Sequence, residues 1–377
     1  MSDSTLLTKD EVSKESLFIK IKNFFVNFGV GVKNFFKTAV NGIKNFFKDP
    51  KTGFKNLGKA LKKQNGWLFL LPAILLLTLF TFYPIVNSVV LAFMEDYNPI
   101  DVNASAPKFG FGNFVAVITN DVEKTNSAAE FMVALKNTLI LAFISVPLSI
   151  TVALLIAVAL NSIKVLQKAY QTIFFLPYLT NALAMGAVFA TFFKIVASIP
   201  SDPSTIETVG LVNNFLGLFG IEHINWIGPG SGTWQNYLVL IVYSTWSGLP
   251  FKILILFSAL QNVGKQYYDA AKIDGANKKT ILTKITVPLI SPMLSYLLIT
   301  GIMGALKAYS SVIGIFGGNL GPNGAGSYEM ATMVGYIYTM IEQNKTCYAA
   351  AGSIILFIII MIFTAINNQV SKKRVHY

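Results

Sequence analysis

Lysine, aromatic and hydroxyl side chains occur together inside a long apolar stretch of this sequence. Lys252 follows Tyr243, Trp246 and Ser247 at helical spacing, which places them on one face of a helix. A charged group at membrane depth is costly and usually faces a cavity or a partner. Aromatic rings stack on sugar faces and hydroxyls bond sugar hydroxyls, so the pattern favours a polar path for a carbohydrate. Packing between helices or snorkelling is the alternative role for the lysine.

A second lysine, Lys307, is followed by Tyr309 and Ser310 in another long apolar stretch. We expect Lys307 to lie deep in a membrane span, with the same structural alternatives as Lys252. An ammonium group at that depth also admits a phosphate-bearing solute such as glycerol phosphate.

The sequence carries no recognisable catalytic or metal site. No G-x-x-x-x-G-K-[ST] motif occurs. His223, His376 and Cys347 do not match the spacing of a metal site or of a catalytic triad. We therefore expect a chain that is not an enzyme and binds no metal or cofactor itself.

Composition points to a membrane protein. Of 377 residues, 53% are hydrophobic and only 13% are charged, more apolar surface than a soluble domain could bury. The net charge of +12 comes almost entirely from lysine, with Arg374 as the one arginine. Nucleic-acid recognition favours arginine, and the lysines lie beside apolar stretches, so we expect contact with a lipid bilayer and none with nucleic acid.

Six apolar stretches are each long enough to cross a bilayer, which predicts an all-α membrane protein with six transmembrane helices. The predicted spans are 67–93, 135–160, 170–196, 234–260, 289–316 and 348–368. The corresponding domains are a basic arm (1–66), a first transmembrane helix (67–94), an extracellular loop (95–134), a core of five helices (135–370) and a tail (371–377).

Loop lysines predict the orientation. The loops 161–169 and 261–287, with the tail, hold ten basic residues, whereas the three opposite loops hold three basic residues and eleven acids. By the positive-inside rule, both termini are cytoplasmic and the protein is a multi-pass protein of the cell membrane.

The basic arm contains an eleven-residue repeat. Lys-Asn-Phe-Phe recurs so that Phe25, Phe36 and Phe47 fall on nearly one face of a helix, with lysines flanking them. Such an amphipathic helix suits the surface of an anionic membrane. A solvated basic tail is the alternative.

The polar stretch 264–288 separates two apolar segments. Its first half, Lys265 to Ile273, predicts a short helix that ends at Gly275 in the left-handed conformation. Asn277 can cap a second helix from Lys278 to Thr286, and Pro288 permits an extended exit into the next span. The result is a helix-turn-helix between two spans.

This stretch resembles the cytoplasmic "EAA" loop of ABC-importer permeases. The resemblance rests on Asp269-Ala270-Ala271 followed by Gly275, Ile285 and Pro288, and on the tripeptides Asp274-Gly275-Ala276 and Ala259-Leu260-Gln261. These two tripeptides look like those of the carbohydrate-uptake branch, and the chain looks most like the first permease of a maltose- or oligosaccharide-type pair. Asp269 replaces the usual glutamate.

The resemblance implies a coupling loop that docks on an ATP-hydrolysing subunit through Asp269, Ala270, Ala271, Asp274 and Gly275. It also implies a second permease subunit forming a heterodimer, two ATP-binding subunits that hold ATP and Mg, and an extracellular solute-binding protein. The family's sugar-contacting stretch corresponds here to Lys307, Tyr309 and Ser310.

We therefore predict a permease subunit of an ATP-driven sugar or oligosaccharide importer. One alternative is a permease for a phosphorylated polyol such as glycerol phosphate. Another is a membrane scaffold that acts through its basic arm. A secondary transporter would need carboxylates at membrane depth, and the predicted spans hold none. An amino-acid or metal permease is disfavoured only by the residues around the loop.

Overall fold

The computed structural model describes residues 66–95, 97, 107–121, 129–163, 167–196, 208–323 and 327–374. The predicted membrane-surface residues Phe25, Phe36 and Phe47 lie outside these ranges. The chain divides into two compact units, Met1–Pro84 and Ile85–Tyr377.

In the first unit, helix α1 (Gly66–Leu77) runs into a wide π-helical turn (Thr78–Phe82). This turn ends two residues before Pro84. Proline has no N–H to donate and its ring clashes with the carbonyl four residues earlier, so a widened turn relieves the conflict. The same relation recurs later in the chain, where a π-helical turn at Leu282–Thr286 precedes Pro288.

Helix α2 (Tyr83–Phe93) is followed by short strands and by the remaining helices. After α2 come the antiparallel pair β1 (Met94–Glu95) and β2 (Lys108–Phe109), α3 (Gly112–Thr119), α4 (Phe131–Ser162), α5 (Gln167–Phe175), α6 (Ala182–Phe193), the antiparallel pair β3 (Ile195–Val196) and β4 (Thr208–Val209), and α7 (Leu211–Gly217). The rest are α8 (Thr233–Gln261), α9 (Lys265–Ile273), α10 (Lys278–Ile281), α11 (Val287–Leu289), α12 (Ser291–Ala305), α13 (Ser310–Phe316), α14 (Met333–Glu342) and α15 (Thr346–Arg374).

Four helical stretches among the described residues are long and apolar enough to cross a membrane: Pro72–Phe93, Phe131–Ser162, Thr233–Gln261 and Thr346–Asn367. Two bent pairs, Gln167–Leu179 with Ala182–Phe193 and Lys278–Leu289 with Ser291–Ala305, raise the number to six if each pair is one span. The protein is thus mostly helical, with four to six candidate spans.

The predicted span over 170–196 consists of two helices and not one. The chain turns by 100° between its two helical halves. Pro177 lies in a 3-10 turn, and Thr180 is extended, with ψ 151°. Asn181 then caps α6, its side chain accepting a hydrogen bond of 2.8 Å from the N–H of Leu183. A proline and an N-cap thus divide an apolar stretch that is long enough to be one helix.

The fifth predicted span, 289–316, is likewise divided into more than one helix. Helix α12 ends at Ala305, and four residues without regular helix separate it from α13. The expected extended exit at Pro288 is absent as well, because Thr286 has helical φ and ψ of −63° and −56° and Pro288 lies inside α11. The predicted loop 317–347 contains an unpredicted helix, α14.

Helices α4 and α8 pack along their lengths and divide the core of the second unit between two clusters. The first surrounds their N-terminal halves and includes Leu141, Tyr243 and Tyr336. The second surrounds their C-terminal halves, together with α12, and includes Val146 and Ile253. The boundary between the clusters therefore falls near residues 141–146 of α4.

Candidate functional site

A cavity of about 250 Å³ lies at this boundary, between α4, α8, α12 and the start of α13. Its polar lining consists of five hydroxyls and one ammonium group: Ser145, Ser149, Ser244, Ser247, Ser311 and Lys252. A group of this kind between apolar core clusters is the candidate functional site of the chain.

Helical spacing brings these side chains together. Ser145 and Ser149 are one turn apart on α4, and Ser244, Gly248 and Lys252 are successive turns of one face of α8. Because α4 and α8 pack side by side, the two polar faces meet.

The lysine lies at the inner end of the cavity. The Lys252 residue is 8% exposed, and its Nζ donates a hydrogen bond to Ser149 Oγ. Within the described part of the chain no carboxylate forms an ion pair with this ammonium group. The cavity therefore holds a buried cation whose protein partner is a neutral hydroxyl.

Glycines make room for the lysine side chain. A Cβ atom on Gly248 would lie 2.9 Å from Lys252 Nζ, and one on Gly301 would lie 2.7 Å from Val146 Cγ1. A Cβ on Gly304, by contrast, would meet nothing within 4 Å. The space beside Gly304 is therefore open cavity.

Burial defines an inner floor and an outer rim. Ser145, Ser149 and Lys252 are buried, whereas Ser247 and Gly304 are exposed. A solute group entering from the rim would thus meet the Ser247 hydroxyl before it reaches the floor with its ammonium group.

Two of the predicted substrate-path residues, Tyr243 and Trp246, lie on a different face of α8. The Tyr243 hydroxyl donates to the carbonyl of Ala182 at 2.6 Å. The ring of Phe189 packs against both aromatic side chains, at centroid distances of 5.2 Å and 5.9 Å. These two residues join α8 to α6, and the structure separates them from the lysine with which they were grouped.

The other predicted residues lie at the break between α12 and α13. Lys307 is exposed and lies in the turn that follows α12 rather than inside a helix. The Tyr309 ring is stacked on that of Tyr338, with centroids 4.5 Å apart and planes within 10°. Ser310 is exposed, whereas its neighbour Ser311 lines the cavity.

The sequence offered a signal for the missed lining residues. Ser145, Ser149, Ser244 and Ser311 were passed over because single serines are unremarkable in apolar helices. Their spacing of four residues on α4, and that of Ser244 to Lys252 on α8, would have identified two polar faces.

A second candidate surface is the polar segment between α8 and α12. Helix α9 ends at Ile273 with Asp274 as its C-cap, and Gly275 follows in the left-handed conformation with φ of 72°. The Asn277 side chain accepts a hydrogen bond of 2.8 Å from the N–H of Thr280 and so caps α10. A long contact of 3.4 Å joins the hydroxyls of Thr286 and Tyr268.

Four of the five predicted docking residues, Asp269, Ala270, Asp274 and Gly275, are exposed on this segment. Ala271 is 6% exposed and packs inward, so we assign it to packing.

The exposed side chains of the segment also include two apolar residues and one ion pair. Ile273 is 86% exposed and Tyr267 is 49% exposed. The Asp269 carboxylate lies 3.6 Å from the ammonium of Lys272 one turn later, and both side chains are exposed. Such a pair is worth at most about 0.5 kcal/mol, so a partner could displace it readily.

Known proteins resemble the chain over most of its length. The lactose transport system permease protein LacF of Rhizobium radiobacter is 30% identical over 302 residues, covering 79% of this chain and 90% of LacF. The arabinooligosaccharides transport system permease protein AraP of Bacillus subtilis is 28% identical, covering 82% of this chain and 89% of AraP.

A solved structure shares the fold. One chain of a bacterial alginate ABC transporter, in complex with an alginate pentasaccharide-bound periplasmic protein, matches with a TM-score of 0.65 and 22% identity. The match covers 81% of this chain and 93% of that one.

Residues 145–376 match the family described as the binding-protein-dependent transport system inner membrane component. The match includes α8, α12 and the exposed segment between them, and it extends over more than half of the chain. This protein therefore belongs to that family of ABC transport permeases.

Proposed function

We propose that this chain is the permease subunit of an ATP-driven importer for a sugar or oligosaccharide. The observation that carries the coupling role is the exposed segment that holds Ile273. The apolar side chains of Ile273 and Tyr267 are 86% and 49% exposed on this segment, and together they support a partner surface there. The solute class is supported by the sugar-permease relatives LacF and AraP.

The proposed partners are a second permease subunit, two ATP-binding subunits and an extracellular solute-binding protein. ATP and Mg would be held by the ATP-binding subunits, and this chain would contribute no catalytic group. The exposed segment would face the cytoplasm, where the lysines of residues 261–287 favour it.

The chain connects the docking segment to the cavity through α12. A π-helical turn and α11 lead directly from α10 into α12, at a bend of 70°. Helix α12 carries Gly301 and Gly304, which line the cavity. We infer that movement of the docking segment, driven by closure of the ATP-binding subunits, shifts α12 and alters access to the cavity.

The test is to purify the chain with its neighbouring permease and ATP-binding subunits, and to measure ATP hydrolysis with a panel of loaded solute-binding proteins. We expect stimulation by a binding protein loaded with a sugar or oligosaccharide. Absence of stimulation by every carbohydrate would reject the solute class.

The docking role is tested separately with Ile273→Ser. Because this side chain is almost fully exposed, its loss should leave the melting temperature of the chain unchanged. Interface hot spots contribute more than about 1 kcal/mol, so we expect affinity for the ATP-binding subunit to fall by about fivefold or more. Unchanged affinity would show that Ile273 makes no contact in the assembly.

Asp269→Ala combined with Gly275→Val tests transmission. We expect this variant to insert normally and to lose coupling between hydrolysis and uptake. The matched control is Gly217→Ala, at an exposed helical glycine where a Cβ would meet nothing within 4 Å. Normal uptake by the double variant would remove the proposed role of the segment.

A further inference from the structure

The ammonium group of Lys252 is buried among hydroxyls and has no described anionic partner. An ammonium group has three N–H donors, of which one is directed to Ser149 Oγ. Burying a charge costs free energy unless the charge is paired and hydrogen-bonded. The floor of the cavity is therefore electrostatically suited to an anion.

The serines are suited to a different chemical group. The hydroxyl of Ser149 donates to the carbonyl of Val146 at 2.9 Å, and that of Ser247 donates to the carbonyl of Ser244 at 3.2 Å. Ser145 likewise donates to a carbonyl of its own helix. With their hydrogens used in this way, these hydroxyls present acceptor lone pairs, which suit the hydroxyl hydrogens of a sugar.

The size of the cavity limits what can enter. At about 250 Å³ it is slightly smaller than the roughly 300 to 1,000 Å³ typical of whole-ligand sites. We therefore expect the cavity to take one end or one side group of an oligosaccharide.

We propose that this cavity binds an anionic group of the transported saccharide, a carboxylate or a phosphate, and that Lys252 selects for its charge. The inference rests on the proposed function, since it assigns the solute to the acidic sugars. The serines of the cavity would bind the hydroxyls next to the charged group.

A purely structural lysine would behave differently. If Lys252 only joined α8 to α4 through Ser149, an uncharged side chain of similar length would pack equally well and solute affinity would not change. The charge-neutral variant Lys252→Met and the charge-retaining variant Lys252→Arg separate the two roles.

The experiment uses the purified assembly of both permeases and the ATP-binding subunits, without the solute-binding protein. Binding is measured by calorimetric titration with trigalacturonate, glycerol phosphate and inorganic phosphate, and with maltotriose as a neutral saccharide. The matched control is Lys136→Met, which removes an exposed lysine of α4.

We expect the wild-type assembly to bind at least one of the anionic probes more tightly than maltotriose. If trigalacturonate binds most tightly, the anionic group that the cavity takes is a carboxylate. If glycerol phosphate binds most tightly, that group is a phosphate ester. Hydrogen bonds to charged groups are worth about 10- to 100-fold in affinity, so Lys252→Met should weaken anionic binding by that factor. The control variant should bind as the wild type does, and Lys252→Arg should keep the preference for anions.

The outcomes separate this inference from the proposed function. Equal affinity of wild type and Lys252→Met for every anionic probe overturns the role of Lys252. Preference for maltotriose overturns the inference while leaving a sugar importer in place. Absence of ATPase stimulation by any saccharide-loaded binding protein rejects the proposed function, and this inference with it. Should Lys252→Met fail to assemble, Lys252→Gln, which keeps an N–H donor for Ser149 but carries no charge, decides the matter. Anionic binding by this variant as tight as that of the wild type overturns the role of the charge.

Discussion

Gly186 of α6 and Gly314 of α13 lie in backbone contact. A Cβ atom on Gly186 would lie 2.8 Å from the Cα of Gly314, and one on Gly314 would lie 2.9 Å from the Cα of Gly186. Small residues permit this close approach of two helices, and the van der Waals packing that it allows is one source of helix association in a bilayer. The contact fixes the position of α13, which begins beside the cavity-lining residue Ser311.

Replacing either glycine should therefore separate the helices. We expect Gly186→Ala to lower the free energy of unfolding by about 1 to 3 kcal/mol, because backbone atoms cannot move aside as a flexible side chain would. The measurement is thermal unfolding of the purified chain in detergent. The control Gly217→Ala should leave the melting temperature unchanged, since a Cβ there meets open space. An unchanged melting temperature for Gly186→Ala would contradict the close packing.

The turn after α9 depends on Gly275. Its φ of 72° lies in the left-handed region, which costs an L-residue about 1 to 2 kcal/mol and disfavours β-branched residues most. We expect Gly275→Val to increase protease cleavage within residues 264–288, and Gly275→Asn to have a much smaller effect because asparagine tolerates this conformation. Equal cleavage of the two variants would show that the backbone conformation does not stabilise the segment.

Asn137 joins three parts of the second unit. It is 1% exposed, and its Nδ2 donates to the carbonyls of Glu329 at 2.9 Å and Ala331 at 2.8 Å. Its Oδ1 accepts a hydrogen bond from the Tyr237 hydroxyl. Each buried group left without a partner costs about 1 to 3 kcal/mol.

Asn137→Ala should consequently be one of the most destabilising substitutions in α4. Tyr237→Phe removes only one of the three hydrogen bonds and should cost less. Chemical denaturation of the two variants checks this order. A larger loss of unfolding free energy for Tyr237→Phe than for Asn137→Ala would mean that the carbonyls of Glu329 and Ala331 find other partners.

Much of the polar segment was predictable because local rules determine it. The bounds of α9, the left-handed Gly275 and the capping Asn277 depend on side chains within a few residues of each other. The backbone conformation at Pro288 was not predictable, because it depends on the π-helical turn that precedes the proline. Apolar composition likewise gave the bounds of α4 and α8 to within a few residues.

The breaks in two spans and the composition of the cavity were harder to predict. Apolar length shows that a stretch can span a bilayer, but not whether a proline and a cap divide it, as Pro177 and Asn181 do. The pairing of Lys252 with Ser149 joins residues 103 positions apart, and no local pattern specifies that α4 packs on α8. Tyr243 and Trp246 were grouped with Lys252 although they precede it by nine and six residues, which places them about 180° and about 120° away from it around the helix.

Asn213 stabilises the turn between α7 and α8 through its side-chain amide. Its Nδ2 donates to the carbonyl of Ile224 at 2.9 Å, and its Oδ1 accepts from the N–H of Ile224 and from Trp226 Nε1 at 3.1 Å and 3.0 Å. We expect Asn213→Ala to increase proteolysis within residues 208–232 and to shift the fluorescence of Trp226 toward that of an exposed indole. The neighbouring Asn214→Ala removes one exposed hydrogen bond to Val209 and should change neither quantity. Equal proteolysis of the two variants would show that the turn is held by backbone contacts, whereas a difference would assign its rigidity to the one buried amide.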